Sequence, residues 1–268
     1  MNVLVRLFFI LITITSFLSC ERQRNTLEQS TIKGDVESIT DTIWLADDSY
    51  GDIRNLFVDK IMEYYFNRDG FLVSQVSYNY YGDMNSKSTW EYENNNLLNF
   101  KNYNSDGELQ FVTEYVTEQG KIREETTQFF DVEGNAEFEN SFYYYTDNQL
   151  DSIISKKDNR KKSRYFSYLD KNGSYTEMVI GYSGKKTVSN NWLDDQKRIL
   201  KREDSNDTLS YVYDKNGNMV KLVTTNYSNG FKYRYDETGN WIKQIQYEET
   251  KDGRHVTKNV VKRHINYR

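Results

Sequence analysis

The chain has 268 residues, with 40 Asp or Glu against 35 Lys or Arg and a formal net charge of −5; its pI is near 5.3 and its mean hydropathy is −0.85. Such an acidic chain lacks the basic footprint of a nucleic-acid binder, and no DNA-binding motif offsets that. Two alanines (Ala46, Ala136), no prolines, 23 tyrosines and 14 phenylalanines favour strands over helices, because Ala is the best helix former while Tyr and Phe prefer a pleated surface.

The chain opens with Arg6 as a positive charge, then the apolar run Leu7–Phe17, then Leu18-Ser19-Cys20. A charged start, a short apolar stretch and small residues before a cleavage point predict a secretory leader, too short to span a bilayer as a helix. The expected leader is residues 1–19. The only cysteine, Cys20, then becomes the new amino terminus, and Phe17-Leu18-Ser19-Cys20 resembles a bacterial lipobox with Phe17 in place of the usual Leu. That resemblance implies lipidation of Cys20 and a permanent hold on the membrane, since several acyl chains anchor far better than one. Removing 1–19 takes away Arg6 and no acid, moving the formal charge from −5 to −6. Residues 20–33 are read as the lipidated Cys and a flexible polar tether. Its first residues, Glu21-Arg22-Gln23-Arg24, lack the acidic cluster associated with surface export, which favours a periplasm-facing position at the outer membrane.

From residue 34 to 268 an aromatic is followed four residues later by Gly or Asn: Phe66/Gly70, Tyr92/Asn96, Tyr103/Gly107, Phe130/Gly134, Tyr144/Asn148, Tyr213/Gly217 and Tyr235/Gly239. With weaker punctuation between them, turns recur at a spacing that fits a strand of about 7–8 residues plus a short loop, and ordinary helices do not fit. Asp214 and Asp236 are placed to accept hydrogen bonds from the amides that follow them, and Gly217 and Gly239 to take the positive φ that closes a type I turn with a bulge. Ahead of the last of these turns, Phe231-Lys232-Tyr233-Arg234-Tyr235 alternates three aromatics with two cations, as a two-faced strand does.

On Tyr213-Asp214…Gly217-Asn218 and Tyr235-Asp236…Gly239-Asn240-Trp241 the chain resembles YD-repeat (RHS-like) proteins, and more narrowly small repeat lipoproteins of Bacteroidetes. The resemblance implies an all-β fold for 34–268: an elongated, twisted and curved antiparallel β-meander of about sixteen strands, built from YD-like hairpin repeats. The toxin-enclosing role of larger relatives does not carry over, because their Asp-Pro motifs are missing from a chain without proline.

His255 and His264 have no accompanying HExxH, cysteine cluster or Gly-x-Ser-x-Gly, and read as strand-surface residues. The loops from Asp214 and Asp236 reach Thr225 and Tyr247 at the twelfth position instead of the glutamate an EF-hand needs. No metal, cofactor or catalytic residue is therefore expected. Lys156, Lys157, Arg160, Lys161, Lys162 and Arg164 fall at an expected hairpin tip, a solvated loop by default and a contact for anionic headgroups or glycans in the sharper reading. The expected function is a non-catalytic, lipid-anchored envelope module that offers Tyr213, Tyr233, Tyr235 and Trp241 to an unknown protein or glycan. The competing class is a hydrolase of envelope polysaccharide or peptide.

Overall fold

The structure, a computed structural model, describes residues 32–46, 56–131, 133–158, 160–169, 173–249 and 253–268. The leader, Cys20 and the tether as far as residue 31 lie outside the described residues.

Alternation along the chain produces strands throughout. In order they are β1 (Val36–Ala46), β2 (Leu56–Phe66), β3 (Leu72–Asn79), β4 (Met84–Glu93), β5 (Asn96–Tyr103), β6 (Leu109–Glu118), β7 (Lys121–Phe130), β8 (Ala136–Thr146) and β9 (Gln149–Lys157). They continue as β10 (Arg160–Tyr168), β11 (Tyr175–Ile180), β12 (Lys186–Leu193), β13 (Ile199–Asp204), β14 (Thr208–Tyr213), β15 (Met219–Val223), β16 (Ser228–Tyr235), β17 (Trp241–Glu249) and β18 (His255–Tyr267). Each strand bonds to the next in sequence, and β18 pairs back onto β1 from Val36↔Tyr267 to Leu45↔Asn259.

That last pairing corrects the expected fold. The chain is all-β, but it forms a closed 18-stranded antiparallel sheet, the topology of a β-barrel, and not an open, elongated meander of YD repeats. The YD-repeat assignment falls with it. A meander of repeats leaves its first and last strands with a free edge, whereas here β1 is hydrogen-bonded on both sides, to β2 and to β18. Closure also gives the missing prolines a use, since proline is tolerated mainly on edge strands and this ring has none.

The short loops explain how so many strands fit. Among the described residues the chain makes the same five-residue turn at eight places, in which the first N–H bonds to the fifth carbonyl and the fourth N–H returns to the first carbonyl, as in Asp214/Asn218 at 2.9 Å and Gly217/Asp214 at 3.0 Å. An Asx or glycine occupies the first place in every copy, and the Asx oxygen accepts the third and fifth N–H groups, as Asn67 does from Asp69 and Phe71. Elsewhere two-residue turns use left-handed pairs such as Asn94-Asn95 and Asp147-Asn148.

Among the described residues the strands divide into two compact units, one comprising 114–127 and 138–208, the other 32–113, 128–137 and 209–268. Each has its own apolar cluster on one face of its strands, called here the core face. In the first unit Leu150, Phe166, Tyr175 and Leu193 are buried, with Tyr143 and Ile153 packed on them. In the second, Val36, Ile39 and Phe66 are buried against Tyr64, Leu72 and Ile265, and a separate row of rings runs Trp90, Phe100, Phe111, Phe129 at centroid spacings of 5.0, 5.5 and 5.7 Å. Each fully buried Leu, Ile or Phe contributes about 1.5–3 kcal/mol relative to exposure.

Candidate functional site

In the second unit β1, β16, β17 and β18 bring Tyr233, Tyr235 and Trp241 next to a buried ion pair that the sequence did not announce. Arg263 on β18 donates from Nε and Nη2 to Asp41 on β1 at 2.7 and 2.6 Å. Both side chains are nearly sealed, 13% and 8% exposed. The guanidinium lies 3.5 Å from the ring centroid of Trp241, and Trp241 is 6.0 Å from Tyr233, which is 6.1 Å from Tyr235. A bidentate carboxylate on the edge of the guanidinium and an indole on its face use both ways in which Arg binds well.

The tyrosine hydroxyls are engaged. Tyr233 donates to the Met219 carbonyl at 2.8 Å and accepts from Gln244 at 2.9 Å, and burial pushes its pKa well above the ordinary value. Tyr235 donates to the Asp214 carboxylate and accepts from Asn218 at 3.1 Å. Tyr213 sits half-buried on β14 across from Met219. All four named aromatics are half-buried instead of fully exposed. Asp214 and Asp236 lead their loops, accepting from Asn218 and Asn240 at 2.9 and 2.8 Å, and Gly217 and Gly239 have φ of 86° and 87°.

The turn that Asp236 begins is also a clasp. Asn240 accepts from the Lys33 amide and donates to the Lys33 carbonyl, both at 2.8 Å, and donates to the Tyr267 hydroxyl at 2.8 Å. Arg268 holds the Asp35 carboxylate at 2.6 Å and the Asn67 carbonyl at 2.9 Å. The seam between β1 and β18 is thereby pinned from both sides.

The first unit carries a second polar cluster on its core face. Arg164 on β10 grips Glu177 on β11 through Nε at 2.7 Å and through Nη2. Glu125 accepts from Tyr143 at 2.8 Å, and burial raises its pKa above the usual carboxylate value against the opposing pull of Tyr143 and Ser141. Asp41, Arg263, Glu125 and Glu177 were missed in the sequence, and Arg164, read there as part of a basic hairpin tip, is instead committed to Glu177 on the core face. The available sign was a charged residue at the same alternate positions as core aromatics, as in Arg164-Tyr165-Phe166, where residues 164 and 166 share a face.

The histidines do not meet. His255 stacks on Tyr247 with centroids 4.3 Å apart, and His264 bonds to Asn266 at 2.9 Å on an exposed surface. No cluster of three or more His, Cys, Asp or Glu is placed to hold a metal among the described residues. Part of the basic run forms a hairpin tip, with Lys156 opposite Lys161 and Lys157 opposite Arg160, while Arg164 lies farther along β10 opposite Ile153.

No protein-family model matches the chain, and no curated protein matches it. Among solved structures, a porin-like protein from Bacteroides uniformis is similar at a TM-score of 0.47 and 12% identity, covering 86% of this chain and 98% of its own. A porin-like protein from Bacteroides vulgatus is similar at 0.40 and 12%, covering 88% and 99%. At that level nothing said of those two proteins transfers to this one.

Proposed function

We propose that the chain is an exported envelope protein, held to the outer membrane by lipid on Cys20, whose closed sheet stands in water as a non-catalytic binding module. The observation that carries this reading is charge at mid-strand on both faces. In the second unit one ladder runs Ile265, Ile39, Tyr64, Gln75, Ser88, and its strands also bear Asp41 and Arg263. The ladder beside it runs His264, Thr40, Glu63, Val76, Lys87 on the opposite face, where Lys101 also pairs with Glu91 at 3.0 Å. A membrane-spanning barrel needs an apolar band about 25 Å tall on its lipid side, where Lys or Arg costs roughly 2–4 kcal/mol at the midplane. Neither face of these strands supplies one, which supports attachment through lipid on Cys20 over spanning by these strands.

The buried carboxylates Asp41 and Glu177 are each committed to an arginine, which suits a rigid scaffold more than a reacting pair. Partner protein or glycan remains the proposed class of occupant for the sheet surface. Carbonate extraction of membranes, with palmitate labelling, tests the reading. Wild type should carry label and stay in the membrane pellet, while Cys20→Ser should be unlabelled and released by carbonate. A Cys20→Ser protein that still needs detergent for release would mean that the sheet itself is embedded.

A further inference from the structure

The first unit holds a surface unlike the rest of this acidic chain. Directly opposed residues in an antiparallel sheet share a face, so the register identifies the ladders opposite the core face of β8 to β12. One ladder is Tyr144, Ser152, Tyr165, Met178, Val188. The next is Phe142, Ile154, Ser163, Ile180, Lys186, and beyond it come Asn140, Lys156, Lys161. A fourth, Ser167, Thr176, Asn190, lies on the other flank. None of these is an acid, in a protein with 40 of them. Of the carboxylates on the same strands, Glu139 and Glu177 stand on the core-face ladders opposite Lys157 and Phe166, and Asp151, exposed at the β8–β9 bulge at the far end from the lysines, accepts from Ser152 at 3.2 Å.

The patch is open to solvent. Phe138, Tyr144 and Val188 are 49%, 48% and 41% exposed, and Lys156, Lys161 and Lys186 are exposed at one end of it. Lys156 extends over the Phe142 ring at 5.5 Å. Lys161 and Lys186 make no ion pair with any described residue. The serines Ser152 and Ser163 are buried beneath the flanking large side chains, which gives a continuous layer of rings and aliphatics with cations along one border. That order, rings in the middle and lysines at the margin, is the order of a surface that rests in the headgroup region of an anionic bilayer.

We infer that the lysine-bordered aromatic face of β8 to β12 docks peripherally on anionic lipid, with Phe138, Phe142 and Tyr144 entering the interface and Lys156, Lys161 and Lys186 meeting headgroup phosphates. The inference uses the proposed lipid tether only as a source of proximity, and it is tested without the lipid. Mature chain 20–268 carrying Cys20→Ser is floated with vesicles of phosphatidylcholine mixed with phosphatidylglycerol, and with vesicles of phosphatidylcholine alone. Binding should favour the anionic vesicles and weaken with added salt. At about 1 kcal/mol for each lysine near an anionic surface, Lys156→Gln/Lys161→Gln/Lys186→Gln should lower partitioning about a hundredfold, with an unchanged thermal melt. The separate variant Phe138→Ser/Tyr144→Ser should lower it as well while leaving the salt dependence in place. Equal binding to both vesicle types, no binding to either, or anionic binding that the lysine variant retains would overturn the inference. Retention by an acidic polysaccharide with no vesicle binding would also overturn it and assign the face to a glycan.

Discussion

Lys197 and Gly217 occupy the same place in two copies of one turn. Each is the fourth residue of its loop, each N–H returns to the leading aspartate, at 2.9 and 3.0 Å, and each has positive φ, 64° and 86°. An L side chain pays roughly 1–2 kcal/mol for that conformation where glycine pays nothing. Gly217→Ala should therefore cost roughly 1 kcal/mol in urea unfolding. Lys197→Gly should gain about 0.5 kcal/mol, less than the full strain because glycine also loosens the unfolded chain. A silent Gly217→Ala would show that the loop relaxes in solution. These turns were legible because their chemistry is local: Asp214, Gly217 and Asn218 lie within five positions and carry the whole instruction.

At the scale of the strand, alternation says which residues share a face but not which strand lies alongside. Arg263 and Asp41 are paired across the seam although 222 residues separate them, and nothing near either residue names the other. The same limit hid Arg164 and Glu177, and it left Trp241 looking like a free aromatic when a guanidinium already covers it. The pair is a demanding one. Asp41→Ala strands a buried guanidinium and should cost about 3–5 kcal/mol, whereas Asp41→Leu/Arg263→Met, which removes both charges, should recover most of that loss. Urea melts of the two variants decide it, and a cost below about 1 kcal/mol for Asp41→Ala would place the pair in water.

For the whole molecule, the strands were readable and their closure was not. Turn spacing revealed β-hairpins, but an open sheet and a closed one share every local signal, and they differ only in whether Ile39 finds Ile265. Closure imposes a parity rule on the chain, because neighbours joined by short loops must run antiparallel around the ring. Deleting residues 68–93 removes β3 and β4 together and leaves β2 antiparallel to β5 across Asn94-Asn95. That variant should fold, with a lower melting temperature. Deleting residues 68–82 removes β3 alone and asks β2 and β4 to run parallel across a tight turn, which parallel strands cannot do. It should give no cooperative melt by circular dichroism, and cooperative melting of both deletions alike would contradict a closed ring.

The seam has a mechanical side. The segment from residue 32 enters β1, which is bonded along its length to β2 and β18 and clasped at its start by Asn240 and Arg268. A pull delivered through an amino-terminal tether, directed along the strand, would load both ladders in shear, with many bonds sharing the force at once. A strand at the edge of an open sheet, pulled across its axis, would instead be unzipped one bond at a time. Closing the ring on its own first strand thus makes the entry to β1, where the proposed tether would pull, a place at which the fold resists traction well.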